Sequence, residues 1–253
     1  EQQRALAASV TELSPNDSQL VKRIAGIPGF DGKGVAAVVA RTFRLGALTG
    51  GYLPLTEALQ HWSQHAEDLE GTLRPLATLR SDQWLDLAYT HGTPEGMLTP
   101  VAYADSLAAN IERQHPNETL AAHLMEGRRL AQHPVLTGID SFLRDNPTFD
   151  IVTANLNAIT EQAKWDSVAK SERINEGLRS LQRFHSLGAS WDETATLLEN
   201  DLYGPHQLLA AGPAQLAELL DGQLLPERIV TLYNQAEKLH NITFAAFTAA
   251  FSP

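Results

Sequence analysis

The stretch TPVAYADSLAANIERQ, residues 99–114, carries the signals that decide the fold class. Thr99 is a typical helix N-cap residue, and Pro100 follows at the first helical position, where its missing N–H costs nothing. Apolar side chains then recur every four residues and form one stripe along the segment: Tyr103, Leu107 and Ile111. This spacing predicts an α-helix that buries one face.

The same helical signals recur along the whole chain. Ser190 and Glu193 form a capping box, and the pairs Gly212-Pro213 and Leu225-Pro226 each predict the start of another helix. Strand signals are nearly missing from the sequence. The best strand candidate, GVAAVVAR at residues 34–41, is rich in alanine, which favours a helix. We therefore expect an all-α fold of about a dozen short to medium helices.

Composition excludes several classes of protein. The chain has 253 residues, of which 43% are hydrophobic, so it can bury a substantial core and is not a disordered chain. It contains no cysteine, which excludes disulfide scaffolds, thiol nucleophiles and thiolate metal sites. Its net charge of −11 disfavours binding to nucleic acid, and no apolar run is long enough to span a membrane. Because the sequence starts with Glu1, we expect a processed chain or a piece of a longer protein.

Two pairs of short motifs occur in the same order in each half of the chain. IPGFD at residues 27–31 resembles NPTFD at residues 146–150, and FRLGA at residues 43–47 resembles FHSLGA at residues 184–189. This order suggests a tandem duplication of a helical unit of about 115 residues. The alternative is coincidence, since any two helical halves share short pieces of this kind.

A break in the helical pattern predicts the boundary between the two halves. His133-Pro134 and Gly138 interrupt the helices near the middle of the chain. We accordingly expect a first helical unit at residues 1–130 and a second at residues 131–253, packed together as one larger module.

The strongest metal-like pattern consists of Glu57, His61 and His65. Their spacing of four residues places all three on one face of a helix, where a carboxylate and two imidazoles can share a divalent ion. A small all-α metal-dependent hydrolase centred on these residues is the alternative function. The competing interpretation is a solvated helix face that carries two histidines.

Residues 24–39, IAGIPGFDGKGVAAVV, share features with a helix-hairpin-helix motif that binds DNA phosphate. Asp31 stands where that motif needs its second glycine, and its carboxylate would repel a phosphate. A packed helical hairpin with Ile27 and Phe30 in the core is therefore the better interpretation. Nucleophile motifs and phosphate-binding glycine loops are also missing from the sequence. We expect no enzymatic activity, no catalytic residue, no cofactor, no bound metal and no nucleic-acid partner.

Several stretches of the chain follow an order that points to one family. They are NPTFDIVTANLNAI (146–159), LQRFHSL (181–187), LLEND (197–201), HQLLAAGPAQLAELL (206–220) and LPERIVTLYNQAEKLHNITFAAF (225–247). This order resembles the helical region in the N-terminal half of the A component of bacterial Tc insecticidal toxin complexes and their neuraminidase-like relatives. The matching family features are a Pro-x-Phe-Asp segment at 147–150, the Leu-Gln-Arg helix at 181–183 and a closing helix with Tyr233, Ala236 and His240. LTPVAYA at residues 98–104 resembles the preceding unit of that family, and the likeness covers about residues 80–253.

The resemblance implies a role in virulence rather than in catalysis. It implies a secreted or cell-surface-associated bacterial protein whose helices help form the shell around a translocation channel. The implied partners are the remaining segments and other copies of a longer toxin chain, together with a host cell-surface receptor.

The resemblance also implies exposure to acid during endocytic uptake. Protonation of the nine histidines would nearly offset the net charge of −11. Protonation of a histidine that is buried in its neutral form destabilises the fold, because burial disfavours the charged form. His185 and His240, which lie on predicted helices, are the candidates for such a switch.

Overall fold

A computed structural model describes residues 19–32, 34–62, 75–96, 99–125, 127–157 and 168–251. Within these ranges the chain forms twelve α-helices and two short 3-10 helices, and none of the described residues lies in a β-strand. The predicted all-α class is confirmed. The chain divides into two compact units, residues 1–118 and 119–253.

The described part of the first unit contains short and medium helices. They are α1 (Leu20–Ala25), α2 (Val35–Leu48), α3 (Leu53–Trp62), a 3-10 turn (Leu76–Thr78), α4 (Ser81–His91) and α5 (Pro100–Gln114). The helix α6 (Pro116–His123) begins in this unit and ends in the second. Helix α1 packs against α2, and α4 packs against α5.

Helix α5 begins and packs as its sequence predicts. The Thr99 hydroxyl accepts a hydrogen bond from the Ala102 N–H at 3.1 Å and caps the helix. The predicted stripe is buried, together with Trp84 of the neighbouring helix α4: Tyr103, Leu107 and Ile111. Burial of this apolar surface is what fixes α5 against the rest of the unit.

A polar contact ties α5 to the turn between α2 and α3. The Tyr103 hydroxyl donates a hydrogen bond to the Thr49 carbonyl at 2.9 Å. Burial raises the pKa of Tyr103 to about 12, so the phenol stays protonated and remains a donor. The turn continues through Gly50 and Gly51, both at positive φ, as a tight connection into α3.

The second unit continues the helical pattern. Among its described residues lie α7 (Arg129–Gln132), a 3-10 turn (Pro134–Leu136), α8 (Ile139–Asp145), α9 (Val168–Ser186), α10 (Trp191–Glu199), α11 (Pro205–Leu219) and α12 (Pro226–Phe251). Helix α11 is bent at Gly212, whose backbone leaves the helical region directly before Pro213. The predicted helix start at Gly212-Pro213 is thus present as a kink inside a longer element.

One apolar core holds the second unit together. Helix α12 packs along α11 through buried side chains on both helices: Leu208, Leu216, Ile229, Leu232 and Ala236. Helix α9 approaches the 3-10 turn at 134–136 closely at Gly177. A Cβ atom at Gly177 would lie 2.6 Å from the Val135 carbonyl oxygen, so the approach requires glycine.

The division between the units falls between Glu118 and Thr119, whereas the helix breaks near His133 predicted it at 130/131. Three leucines that precede position 131 belong to the core of the second unit: Leu120, Leu124 and Leu130. Burial of these side chains, rather than the local break in the chain, sets the boundary.

The two phenylalanine motifs of the suggested duplication each lie in a turn that follows a short helix. In the first unit the turn with Phe30 follows α1, and in the second the turn with Phe149 follows α8. Each phenylalanine N–H bonds the carbonyl three residues earlier, at Ile27 and Asn146 respectively, at 3.0 Å. Both rings are half-buried rather than buried, because each lies in a turn at the edge of its core. Superposition of the two units stays a prediction.

Candidate interaction site

Several polar and aromatic contacts surround the start of helix α10, and we call this set the α10 junction. It comprises His185, Gly188, Trp191, Glu193 and Arg228. Helix α10 starts with the predicted capping box: the Glu193 N–H donates to the Ser190 hydroxyl at 3.1 Å, and the Ser190 N–H donates to the Glu193 carboxylate at 2.8 Å. The cap fixes the direction in which α10 leaves the α9–α10 turn.

Arg228 of α12 connects the closing helix to this cap. Its Nε donates to Glu193 Oε1 at 2.5 Å, and its terminal nitrogen donates to Glu193 Oε2 at 2.9 Å and to the Gly188 carbonyl. The hydrogen bonds that the Arg228 guanidinium donates to Glu193 raise the pKa of Arg228. A two-pronged pair of this kind sets the orientation of both side chains as well as their distance. It therefore sets the position of α12 relative to the α9–α10 turn.

An aromatic pair lies on the buried side of the junction. The rings of His185 and Trp191 stack with centroids 5.4 Å apart, and the Trp191 indole N–H donates to the Thr119 hydroxyl at 2.9 Å. Burial lowers the pKa of His185, while the nearby Asp150 carboxylate acts in the opposite direction. The half-buried imidazole is therefore held more firmly in its neutral form than an exposed one.

A second polar cluster lies at the other end of α10. Arg129 donates to both carboxylate oxygens of Glu199, at 3.0 and 2.5 Å, and to the buried Thr196 hydroxyl at 3.1 Å. The bond from Arg129 lowers the pKa of the Glu199 carboxyl. Nearby, the Tyr203 hydroxyl donates to Asp201, whose backbone has a positive φ of 57° and ends the helix. The acidic-ended motif LLEND thus terminates α10 and pairs it with α7.

The ring nitrogens of His133 form hydrogen bonds, one of them to the C-terminal end of α10. Its Nδ1 accepts the Val135 N–H at 3.4 Å, so Nε2 carries the proton and donates to the Leu198 carbonyl at 3.2 Å. The sequence pattern indicates only that His133 is part of a helix break. Nothing in the local sequence signals a partner that lies 65 residues away.

The motif residues that carry the family resemblance have structural roles. Leu181 is fully buried in the core, and the Gln182 side chain donates to the carbonyls of Ile151 and Ala154 at 3.0 Å each. Ala236 of the closing helix is fully buried, and Tyr233 is half-buried against the same core. His240, by contrast, is exposed, so the expectation that it is a buried neutral histidine is wrong. It lies beyond the end of the packed part of α12.

The residues of the alternative metal pattern, Glu57, His61 and His65, are only partly described. Glu57 and His61 are both exposed on α3, and His61 Nδ1 lies 2.9 Å from the Glu57 backbone carbonyl. His65 lies outside the described residues. Among the residues that the structure describes, no group of three or more histidine, aspartate or glutamate side chains could hold a metal ion.

Comparisons with known proteins return no similar chain. No protein-family model, no curated protein and no solved structure matches this sequence or fold. A membrane-spanning helix, which needs both sufficient length and apolar character, does not occur in the described part of the chain.

Proposed function

We propose that this chain is a non-enzymatic α-helical scaffold and interaction module of a Tc-like toxin A component. In this role it contributes to the helical shell around a translocation channel. The observation that carries the proposal is the structural role of the residues in the family-like motifs. Leu181 and Ala236 pack in the core, and Gln182 donates hydrogen bonds to the neighbouring segment. A shell-forming module needs its motif residues in such packing roles.

The α10 junction supports the same proposal. Arg228 and Glu193 are only partly exposed and form an ion pair with each other. Arg228 also donates a hydrogen bond to the Gly188 carbonyl. Such a contact holds α9, α10 and α12 at defined positions, and a shell needs that rigidity when it packs against further segments of the same assembly. Contact with a host cell surface is a second part of the proposal and is tested independently of assembly.

The test is the state of assembly of this protein in the cells that produce it. An affinity tag at the natural locus, followed by mass photometry and electron microscopy of the purified particles, measures that state. We expect a large helical assembly that contains several copies of the chain. Particles no heavier than two chains of 27.6 kDa would overturn the proposal. Binding of the labelled protein to host cells tests the receptor contact separately.

A further inference from the structure

A chemically reactive pair of residues lies in the turn between helices α11 and α12. Helix α11 ends at Leu219, α12 begins at Pro226, and Asp221-Gly222 lies between them. Both residues of the pair are exposed. Gly222 has a positive φ of 67°, and a Cβ atom added there would meet no neighbouring atom within 4 Å. No neighbouring segment therefore crowds the pair at Gly222.

The residues on either side of the pair are held by hydrogen bonds. The Leu220 carbonyl accepts the N–H groups of Gln223 and Leu224, at 3.0 and 3.1 Å. The Gln223 side chain accepts a hydrogen bond from the Asn200 side chain at 3.0 Å, which ties the turn to the end of α10. Among the described residues, none forms a hydrogen bond or ion pair with the carboxylate of the pair or with its glycine N–H. The pair thus has free polar groups between two anchored neighbours.

We propose that Asp221 is a site of spontaneous conversion to isoaspartate. The Gly222 nitrogen attacks Cγ of the Asp221 carboxyl group, one water molecule leaves, and a five-membered succinimide ring forms. Water then adds at the former main-chain carbonyl carbon of Asp221 and breaks its bond to the Gly222 nitrogen. The main chain now runs through Cβ and Cγ, and the α-carboxyl group is free. One water is released and one is consumed, so the modification needs no oxidant and no cofactor.

The local geometry favours this reaction. The side chain of an aspartate is short enough to reach the backbone N–H of a neighbouring residue. Glycine has no Cβ atom that would hinder the approach to its nitrogen. Because the Gly222 N–H and the Asp221 carboxylate form no hydrogen bonds among the described residues, no contact has to break before they meet.

Two other aspartates of the chain serve as internal comparisons. Asp31-Gly32 has the same sequence, but Gly32 is packed: a Cβ atom there would lie 3.1 Å from Val35 Cγ2, and the Gly32 carbonyl accepts the Val35 N–H. Asp105 is exposed like Asp221 and also precedes a small residue, Ser106, but it lies inside helix α5. The N–H groups inside a helix are hydrogen-bonded, so the helix has to open before this pair can react.

Peptide mapping of the aged full chain measures the conversion. The protein is incubated at neutral pH and physiological temperature, digested, and analysed by electron-transfer mass spectrometry, which identifies isoaspartate at unchanged mass. We expect at least about tenfold more isoaspartate at Asp221 than at Asp105, because α5 must first open locally. We also expect slower conversion at Asp31 than at Asp221. Conversion at Asp221 no greater than at Asp105 overturns the proposal, and equal conversion at Asp31 and Asp221 overturns its structural basis.

Asp221→Glu is the matched control variant. It keeps the negative charge, but a glutamate would have to close a six-membered ring, which forms much more slowly. Isoaspartyl methyltransferase with a labelled methyl donor labels the new α-carboxyl group. We expect label in the α11–α12 turn of aged wild type and loss of that label in the aged variant, with circular dichroism confirming that the variant is folded. Label in this turn of the variant overturns the assignment to Asp221.

The conversion also changes the turn itself. An isoaspartyl residue adds one carbon to the main chain, so the Leu220 carbonyl no longer meets the N–H groups of Gln223 and Leu224 in the same geometry. We expect hydrogen exchange at these two amides to become at least about tenfold faster in the chromatographically separated, converted protein. The amides of Ile229 and Leu232, whose side chains are buried, should keep their exchange rates. Unchanged exchange at Gln223 and Leu224 overturns this consequence.

Discussion

The Glu193 carboxylate is shared between the cap of its own helix and Arg228, which lies 35 residues further along the chain. One oxygen accepts the Ser190 N–H, and both oxygens accept hydrogen bonds from Arg228. The side chains of Arg228 and Glu193 are 31% and 16% exposed, so water competes only weakly for this pair. A local helix signal thereby becomes part of a tertiary contact.

Removal of this contact should destabilise the protein measurably. We expect Arg228→Ala to lower the free energy of unfolding by about 1–3 kcal/mol, because it leaves a half-buried carboxylate with fewer donors. Urea unfolding followed by circular dichroism measures the change. The matched control is Arg144→Ala, which breaks an i, i+4 pair whose arginine side chain is 74% exposed. That change should cost no more than about 0.5 kcal/mol. Equal losses in the two variants would contradict the role assigned to Arg228.

Two glycines inside helices should respond in opposite directions to alanine. Gly177→Ala should destabilise the protein by about 1–3 kcal/mol, because its Cβ would lie within 3 Å of Val135 and Ile139. Gly46→Ala should stabilise it by about 0.5–1 kcal/mol, since Gly46 lies in α2 and a Cβ there meets no neighbour within 4 Å. Thermal melts of both variants measure the shifts. A Gly177→Ala protein as stable as wild type would contradict the close approach of α9.

Acid should destabilise the second unit through His185. Burial lowers the pKa of His185 in the folded state, so the unfolded chain binds a proton more readily as the pH falls. The stability contributed by neutral His185 is complete above its unfolded pKa of about 6.5 and is lost as the pH falls through that value toward the lower folded pKa. We expect His185→Gln to reduce the loss of stability between about pH 7.5 and pH 5 in urea unfolding.

The control for His185 is His240→Gln, because His240 is exposed. This variant should follow the wild-type pH profile. If His185→Gln and wild type lose the same stability over the acid range, His185 does not act as the sensor.

The non-enzymatic proposal makes a prediction about metal. Purified protein, dialysed against buffer with zinc and then against metal-free buffer, should retain no stoichiometric zinc in elemental analysis. Stoichiometric zinc or manganese that is lost in a His61→Ala variant would instead support the metal-dependent hydrolase centred on Glu57, His61 and His65. That result would contradict the scaffold proposal.

Short-range chemistry along the chain is sufficient to predict the helices. The cap at Thr99, the capping box of Ser190 with Glu193, and the break at Gly212-Pro213 each depend on residues within four positions of one another. Their geometry follows from backbone hydrogen bonding and proline sterics, which do not require the rest of the fold. The all-α class and the positions of these helix boundaries were predictable for this reason.

The contacts between helices depended on tertiary structure. Tyr103 bonds Thr49 across 54 residues, and Trp191 bonds Thr119 across 72 residues. The sequence alone does not show which polar side chains form such pairs. The burial of apolar helix faces brings particular helices together and so decides which side chains meet. The same burial set the unit boundary at 118/119 and left His240 in solvent, because α12 continues past the core on which its first half packs.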